Sequence, residues 1–295
     1  MKDRYGRPIK SLRISITNKC NLNCFYCHKE GHLGNDRYLT SDDIKKIVET
    51  SVKFGVKKVK ISGGEPLIRK DIVEIVEKIR EVRGIEDISL TTNGTLLKKY
   101  AKSLKEAGLD RVNISLDSLN SEVYYQITKG NLTSVLEGID EAVKYFYPIK
   151  INFVALTLNI NEIDEFIDFC ADKGVILQII EFLPQNEEDR KFYVDIKPIE
   201  EKIKERAKKV IRRRLMHNRT KYILESGVEV EFVRPMDNSE FCAHCTRIRV
   251  THDGYLKPCL LRDDNLVDIL TPIRNGEDLE KYFLECIRRR EPYFK

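Results

Sequence analysis

Six of the eight cysteines fall into two tight groups. Cys20, Cys24 and Cys27 are spaced C-x3-C-x2-C, and Cys242, Cys245 and Cys259 are spaced C-x2-C-x13-C. In a reducing compartment, clustered cysteines are metal ligands or catalytic groups more often than disulfides. Three thiolates held this closely can ligate three irons of a [4Fe–4S] cube, leaving the fourth iron open to a small molecule. The second group also offers three ligands, and an open iron there suits substrate binding better than electron transfer. Zinc is the alternative in both places, completed by His28 at the first and by His244, His252 or Cys286 at the second. The first triplet lacks the distant second pair that zinc usually takes. Cys170 and Cys286 stand alone; Cys170, beside Phe166 and Phe169, reads as a buried small hydrophobe.

Two further patterns could do chemistry. Ser62-Gly63-Gly64-Glu65-Pro66 has glycines that let backbone approach a ligand closely, although a tight turn would also explain it in isolation. Arg247 and Arg249 lie on a strand-like segment between the second and third cysteines of the later group. Period-two spacing puts both on one face, where paired guanidiniums suit phosphate. A formal charge of +5 also suits an anionic ligand. Ten Lys or Arg lie between Lys202 and Lys221. Alone they would support a zinc-bearing nucleic-acid binder, but the interleaved Glu200, Glu201 and Glu205 favour a solvated helix face.

Positioning these residues requires a scaffold, and residues 11 to 182 alternate strand-like and helix-like segments. Strands are expected at 12–16, 56–61, 87–90, 111–116, 149–156 and 175–182. Helices are expected at 42–54, 71–80, 96–107, 121–127, 132–146 and 163–172. Thr40 caps the first helix, and Gly108 and Gly174 end two others. Six β/α units in series predict an α/β fold, a partial (βα)6 barrel with ligands at the carboxyl ends of its strands. After Pro184 the character changes. The division is therefore 1–184 for the barrel and 185–295 for a small C-terminal α+β extension with a final helix over 279–290. The longest apolar stretch, Val175 to Leu183, already contains Gln178 and Glu181, so no membrane span is expected. The polar N-terminus shows no secretory signal, and the reading is a cytoplasmic protein.

The cysteine triplet followed by Ser62-Gly-Gly-Glu-Pro66 resembles the radical S-adenosylmethionine (SAM) superfamily. Asp3-Arg-Tyr-Gly-Arg7, Leu12 to Thr17, Ser62 to Arg69, Thr91-Thr-Asn-Gly94, Asn113 to Leu119, Lys150-Ile-Asn152 and the C-x2-C-x-R-x-R segment extend the likeness. Together they resemble the GTP 3′,8-cyclase family of molybdenum cofactor biosynthesis.

The resemblance implies two [4Fe–4S] clusters, held by Cys20, Cys24 and Cys27 and by Cys242, Cys245 and Cys259. It implies SAM contacts at Tyr26, Gly63, Gly64, Glu65, Ser115 and Leu183. Arg13, Lys60, Thr91, Lys150, Arg247 and Arg249 are the implied GTP contacts, with Arg247 and Arg249 the implied catalytic pair. SAM would yield a 5′-deoxyadenosyl radical that takes the ribose 3′ hydrogen, and the ribose would then close onto C8 of guanine. The implied partners are GTP, an external electron donor and the next enzyme of the pathway. No nucleic acid and no membrane are implied, and the chain would act as a monomer or homodimer. Four positions depart from the family's usual residues: Leu183 for Met, Lys60 for Arg, Gln178 for Arg and Thr246 for Asn. The family's terminal Gly-Gly is replaced by Glu291-Pro-Tyr-Phe-Lys295.

Overall fold

The structure is a computed structural model that describes residues 1–29, 37–236 and 238–293. Phe294 and Lys295, the end of the divergent tail, lie outside the described residues.

The chain opens with β1 (Ser11–Ser15), α1 (Ser41–Lys53), β2 (Lys58–Ser62), α2 (Ile72–Arg80), β3 (Asp87–Thr92) and α3 (Leu97–Glu106). It continues through β4 (Arg111–Ser115), α4 (Ser121–Thr128), α5 (Leu132–Ala142), β5 (Ile149–Ala155), α6 (Ile163–Lys173) and β6 (Ile176–Glu181). β1 to β6 pair in chain order, every pair parallel. This is the expected six-unit α/β arrangement.

Local chemistry starts and stops these elements. Thr40 Oγ1 accepts the Asp43 N–H at 3.2 Å, and the Asp43 carboxylate accepts the Thr40 N–H at 2.8 Å. This reciprocal cap satisfies donors that the first turn leaves open. Ile44, Ile47 and Val48 then form a buried stripe on α1. Gly174 ends α6 in the left-handed conformation, with φ 64°.

The two faces of the sheet differ. Leu12 and Ile14, Val59 and Ile61, Ile88 and Leu90, Val112 and Ile114, Ile151 and Phe153, and Leu177 and Ile179 lie side by side in register. They join the buried residues of the helices in one apolar cluster. The alternate residues, on the opposite face, are largely polar or charged. The core is therefore between sheet and helices, and the concave face is left for chemistry.

Beyond β6 come α7 (Lys197–Glu205), β7 (Ala207–Arg213), β8 (Arg219–Leu224), β9 (Glu229–Val233), α8 (Ser239–Ala243) and β10 (Arg247–Val250). The chain ends with β11 (Tyr255–Lys257), β12 (Val267–Asp268), α9 (Leu270–Arg274) and α10 (Glu280–Arg288). These later strands enlarge the first sheet at both edges. β9 adds parallel to β6, with β8 and then β7 antiparallel outside it. β10 adds parallel to β1, with β11 and then β12 antiparallel outside it. Among the described residues the order is β12-β11-β10-β1-β2-β3-β4-β5-β6-β9-β8-β7. The final helix ties back to the first, Phe283 stacking on Phe54 with ring centroids 5.5 Å apart.

One expectation is corrected. The basic run 202–221 is not one solvated helix face. It spans the end of α7 and a β-hairpin whose inner residues Arg213, Arg219 and Lys221 turn toward the buried Glu231. No helix among the described residues is long and apolar enough to cross a membrane.

Thr40→Ala should lower stability by about 1 kcal/mol, the usual worth of such a cap. Chemical denaturation of the two proteins measures it, and an unchanged midpoint would contradict the assigned cap.

Candidate active site

The first cysteine loop leaves β1 and is clamped by its neighbours. Asn23 and Phe25 donate backbone N–H groups to Thr128 and Ile127 at the end of α4, at 3.0 and 3.2 Å. Phe25 packs on Phe192 with centroids 4.5 Å apart. Tyr26 Oη donates to Asp117 at 2.5 Å, and Asp117 also accepts the Val154 N–H at 2.9 Å. Burial pushes the Asp117 carboxyl up to about 6. The phenol of Tyr26 is thus committed to protein, and its main chain remains available.

The Ser62-Gly-Gly-Glu-Pro66 segment docks directly on this loop. Gly64 donates its N–H to Thr17 O at 2.7 Å, and Glu65 donates to Lys19 O at 2.8 Å. A Cβ on Gly64 would stand 2.1 Å from Lys19 O, and one on Gly63 would stand 2.6 Å from Thr17 O. Only glycine permits this approach. The buried Glu65 carboxylate accepts from Leu67 N, Thr92 Oγ1 and Asn93 N at 3.0, 2.6 and 2.7 Å. Burial raises it to about 6, against those hydrogen bonds. It organises the Thr91-Thr-Asn-Gly94 turn, and Asn93 Nδ2 in turn points at Cys20 Sγ, 3.9 Å away. Ser115 ends β4 and Leu183 follows β6, both half-buried at carboxyl ends of parallel strands.

The second group lies around β10 and β11, beside β1. Cys242 lies in α8, Cys245 just before β10 and Cys259 just after β11. Arg7 Nη1 donates to Cys242 O at 3.3 Å, and Arg290 Nη2 to Cys245 O at 2.7 Å. Both arginines pair with Asp3, at 2.8 and 3.0 Å. The two ends of the chain therefore brace this group.

All six cysteines are free thiols. Leu22 N and Lys29 N donate to the sulfurs of Cys20 and Cys27, both at 3.4 Å. Arg247 N and Leu261 N do the same for Cys245 and Cys259. In each case the donor lies two residues after the cysteine. Sulfurs that accept backbone N–H groups suit thiolates bound to a metal cluster. Within each group the cysteines lie near enough that each thiolate opposes ionisation of the others. Burial opposes ionisation of Cys245, yet Arg290 and Arg247 draw its thiol below the usual range. Cys170 and Cys286 are both fully buried, and burial pushes each thiol up to about 12. Of the alternative zinc ligands, His244 turns Nδ1 to Glu240 O at 3.0 Å in its own helix.

Between the two groups runs a cationic row. Arg249, Arg13 and Lys60 are in register across β10, β1 and β2. Arg247 lies on the same face two residues before Arg249. Thr91 and Lys150 flank Asn113 in a second row across β3, β4 and β5. The six expected substrate contacts thus share one concave face. Burial pushes the Lys60 ammonium well below its ordinary range, helped by Arg13, Arg247 and Lys150. Arg247 is likewise depressed by burial, Arg13 and Arg249. Like charges gathered on one half-buried face favour a neighbouring anion.

Lys150 has one. Its Nζ lies 2.6 Å from the fully buried Glu231 carboxylate. Burial pushes Lys150 down, Glu231 pulls it back, and Arg219 and Arg213 push it down again. Glu231 is held low by Lys150, Arg213 and Arg219, although burial alone would raise it.

A family model described as the radical SAM superfamily matches residues 14–170, and one described as Molybdenum Cofactor Synthesis C matches residues 175–295. The chain is 63% identical to a probable GTP 3′,8-cyclase of Methanocaldococcus jannaschii, over 100% of this chain and 99% of that protein. It is 50% identical to one of Methanothermobacter thermautotrophicus, with the same coverage. The chain belongs to the GTP 3′,8-cyclase family of the radical SAM superfamily. Among solved structures, Streptococcus suis SuiB bound to S-adenosylmethionine matches with a TM-score of 0.67 and 17% identity. That match covers 98% of this chain and 65% of SuiB, so the chain spans just under two thirds of SuiB. Native anSMEcpe with bound AdoMet matches with a TM-score of 0.61 and 20% identity, over 86% of this chain and 76% of that one. These likenesses show the radical SAM fold.

For this cyclase-family chain, several residues of the site escaped sequence reasoning. Arg219 sits in the basic run that reads as surface, Glu231 alternates with apolar residues in the short β-like piece Val228 to Val233, and Arg290 closes a run of three arginines. Asn93 carried a signal, standing inside the Thr91-Thr-Asn-Gly94 motif.

Gly64→Ala should force the two loops apart and cost about 3 kcal/mol, in the range of severe overpacking. Iron content and thermal unfolding measure it. The variant should lose iron from the first cysteine group and unfold earlier; full iron with an unchanged midpoint would contradict the packing.

Proposed function

We propose that the protein is a radical SAM GTP 3′,8-cyclase that converts GTP to 3′,8-cyclo-7,8-dihydro-GTP in molybdenum cofactor biosynthesis. Cys20, Cys24 and Cys27 hold one [4Fe–4S] cluster, and Cys242, Cys245 and Cys259 hold a second. When bound, the first cluster supplies the electron that cleaves SAM to methionine and a 5′-deoxyadenosyl radical. Main-chain groups of Tyr26, Gly63, Gly64 and Glu65, with Ser115 and Leu183, line the SAM end of the cavity. Arg249, Arg13, Lys60, Arg247, Lys150 and Thr91 hold GTP.

The observation that carries this reading is the register row Arg249–Arg13–Lys60 between the two thiol groups. It sets three cations side by side on one face of the sheet, a setting that suits the negative charge of a triphosphate. Rigid strands hold that charge, so the ribose 3′ position is presented in one orientation. Such fixation is what a reactive, unselective radical requires. Arg247 and Arg249 act on the substrate, not on SAM cleavage.

Residues 1–184 form the SAM-cleaving unit, and residues 185–295 supply the second cluster and two walls of the cavity. The protein draws electrons from an external donor, passes its product to the next enzyme of the pathway and works as a monomer or homodimer. Its compartment is the cytoplasm, where the eight free cysteines stay reduced.

Anaerobically reconstituted protein given SAM, GTP and reductant should form the cyclic nucleotide, identified by mass spectrometry. Arg247→Ala and Arg249→Ala should each lower cyclisation by on the order of 100-fold, while reductive SAM cleavage changes several-fold at most. Equal loss of both activities would overturn the assignment of these two residues; absence of the cyclic product in the unsubstituted protein would overturn the function.

A further inference from the structure

The hairpin of β7 and β8 carries a cation into the cavity from outside the motifs that mark the site. Arg219 starts β8 and lies two residues before Lys221, on the same face. Lys221 stands in register with Glu231 on β9, Glu231 with Gln178 on β6, and Gln178 with Asn152 on β5. The Arg219 guanidinium crosses β9 and donates from Nη1 to Gln178 Oε1 at 2.8 Å. Gln178 Nε2 donates onward to Asn152 Oδ1 at 2.8 Å. The Arg219 side chain is only 9% exposed.

Among the described residues, cations outnumber carboxylates at this wall. Glu231 faces Lys150 at 2.6 Å, Arg213 at 2.5 Å, Lys221 at 3.8 Å and Arg219 at 3.9 Å, and Lys221 also pairs with Glu229. Arg219 is the most distant of these, and its direct hydrogen bonds go to neutral groups, from Nη1 to Gln178 Oε1 and from Nε to Met216 O. Burial pushes the guanidinium down, Glu231 opposes that, and Arg213 and Arg13 push it down further. The influence of Arg13 puts Arg219 within electrostatic reach of the cationic row on the facing wall. Arg247 feels Arg219 as well.

We infer that Arg219 is a substrate-binding residue that takes a phosphate group of the nucleotide from the wall opposite Arg13 and Arg249. Gln178 holds the guanidinium in place, and Glu231 is the internal counter-ion that steadies this wall before the nucleotide arrives. The inference rests on the nucleotide reading above and adds to it a residue that the cysteine and arginine motifs do not contain.

The test is equilibrium binding of GTP and of guanosine to the cluster-loaded, SAM-bound protein. The unsubstituted protein should bind GTP more tightly than guanosine. Arg219→Ala should weaken GTP by on the order of 10- to 100-fold and leave guanosine unchanged, as for loss of a charged hydrogen bond. Arg219→Lys, which keeps charge without the fork, should fall between them. If Arg219→Ala does not fold, Arg219→Lys carries the test by the same selective loss. GTP affinity unchanged in every folded variant, or GTP and guanosine weakened equally, would overturn the inference and leave the nucleotide reading standing. If the unsubstituted protein does not bind GTP, both fall together.

Discussion

Strand β10 runs parallel to β1, with Leu12 beside Ile248 and Arg13 beside Arg249. This pairing joins segments from opposite ends of the chain, and the site depends on it. It sets the second cysteine group beside the strand that leads into the first. It also completes the row that runs from Arg249 through Arg13 to Lys60. The pairing is braced behind, where Lys10 and Ser11 donate N–H groups to Thr246 O at 2.9 and 3.2 Å. Asp3, Arg7 and Arg290 clamp the carbonyls of Cys242 and Cys245 from the outer side. A parallel sheet with its apolar face on helices leaves its other face free for polar groups, and here that face carries Arg249, Arg13, Lys60 and Lys150.

Electrostatics distinguish this face of the sheet. Desolvating one cation costs several kcal/mol unless an opposite charge is near. Here Glu231 neutralises Lys150 and Arg213, and Arg249, Arg13 and Lys60 gather positive charge across β10, β1 and β2. Burial, Arg13 and Arg247 hold the Lys60 ammonium below its ordinary range, and burial, Arg13 and Arg249 do the same to Arg247. The GTP 3′,8-cyclase family to which the chain belongs acts on a nucleotide that carries the opposite charge.

Much of this was legible in the sequence because the information is local. The alternation of apolar strands with capped amphipathic helices predicted β1 to β6 within a few residues, and the Thr40 cap and the Gly174 stop needed nothing distant. The cysteine triplets and Gly63-Gly64 were equally plain, since their chemistry follows from spacing. What could not be read is long-range. Nothing in Arg247-Ile-Arg-Val250 says that its neighbour is β1. The Lys/Arg run 202–221 reads as a helix face because Lys and Arg lie on both faces of Ala207–Arg213 and hide the strand period. Glu231, Arg219 and Arg290 look like surface charges in the sequence, and only the fold buries them.

The account stands on two thiolate-bound clusters that open into one cavity, one for SAM and one for the nucleotide. Low-temperature electron paramagnetic resonance of the anaerobically reduced protein tests this directly. Two [4Fe–4S] signals should be present. SAM should perturb the one that is lost when Cys24 is replaced by Ser, and GTP the one that is lost when Cys245 is replaced by Ser. A single signal, or two signals that GTP leaves unchanged, would contradict it.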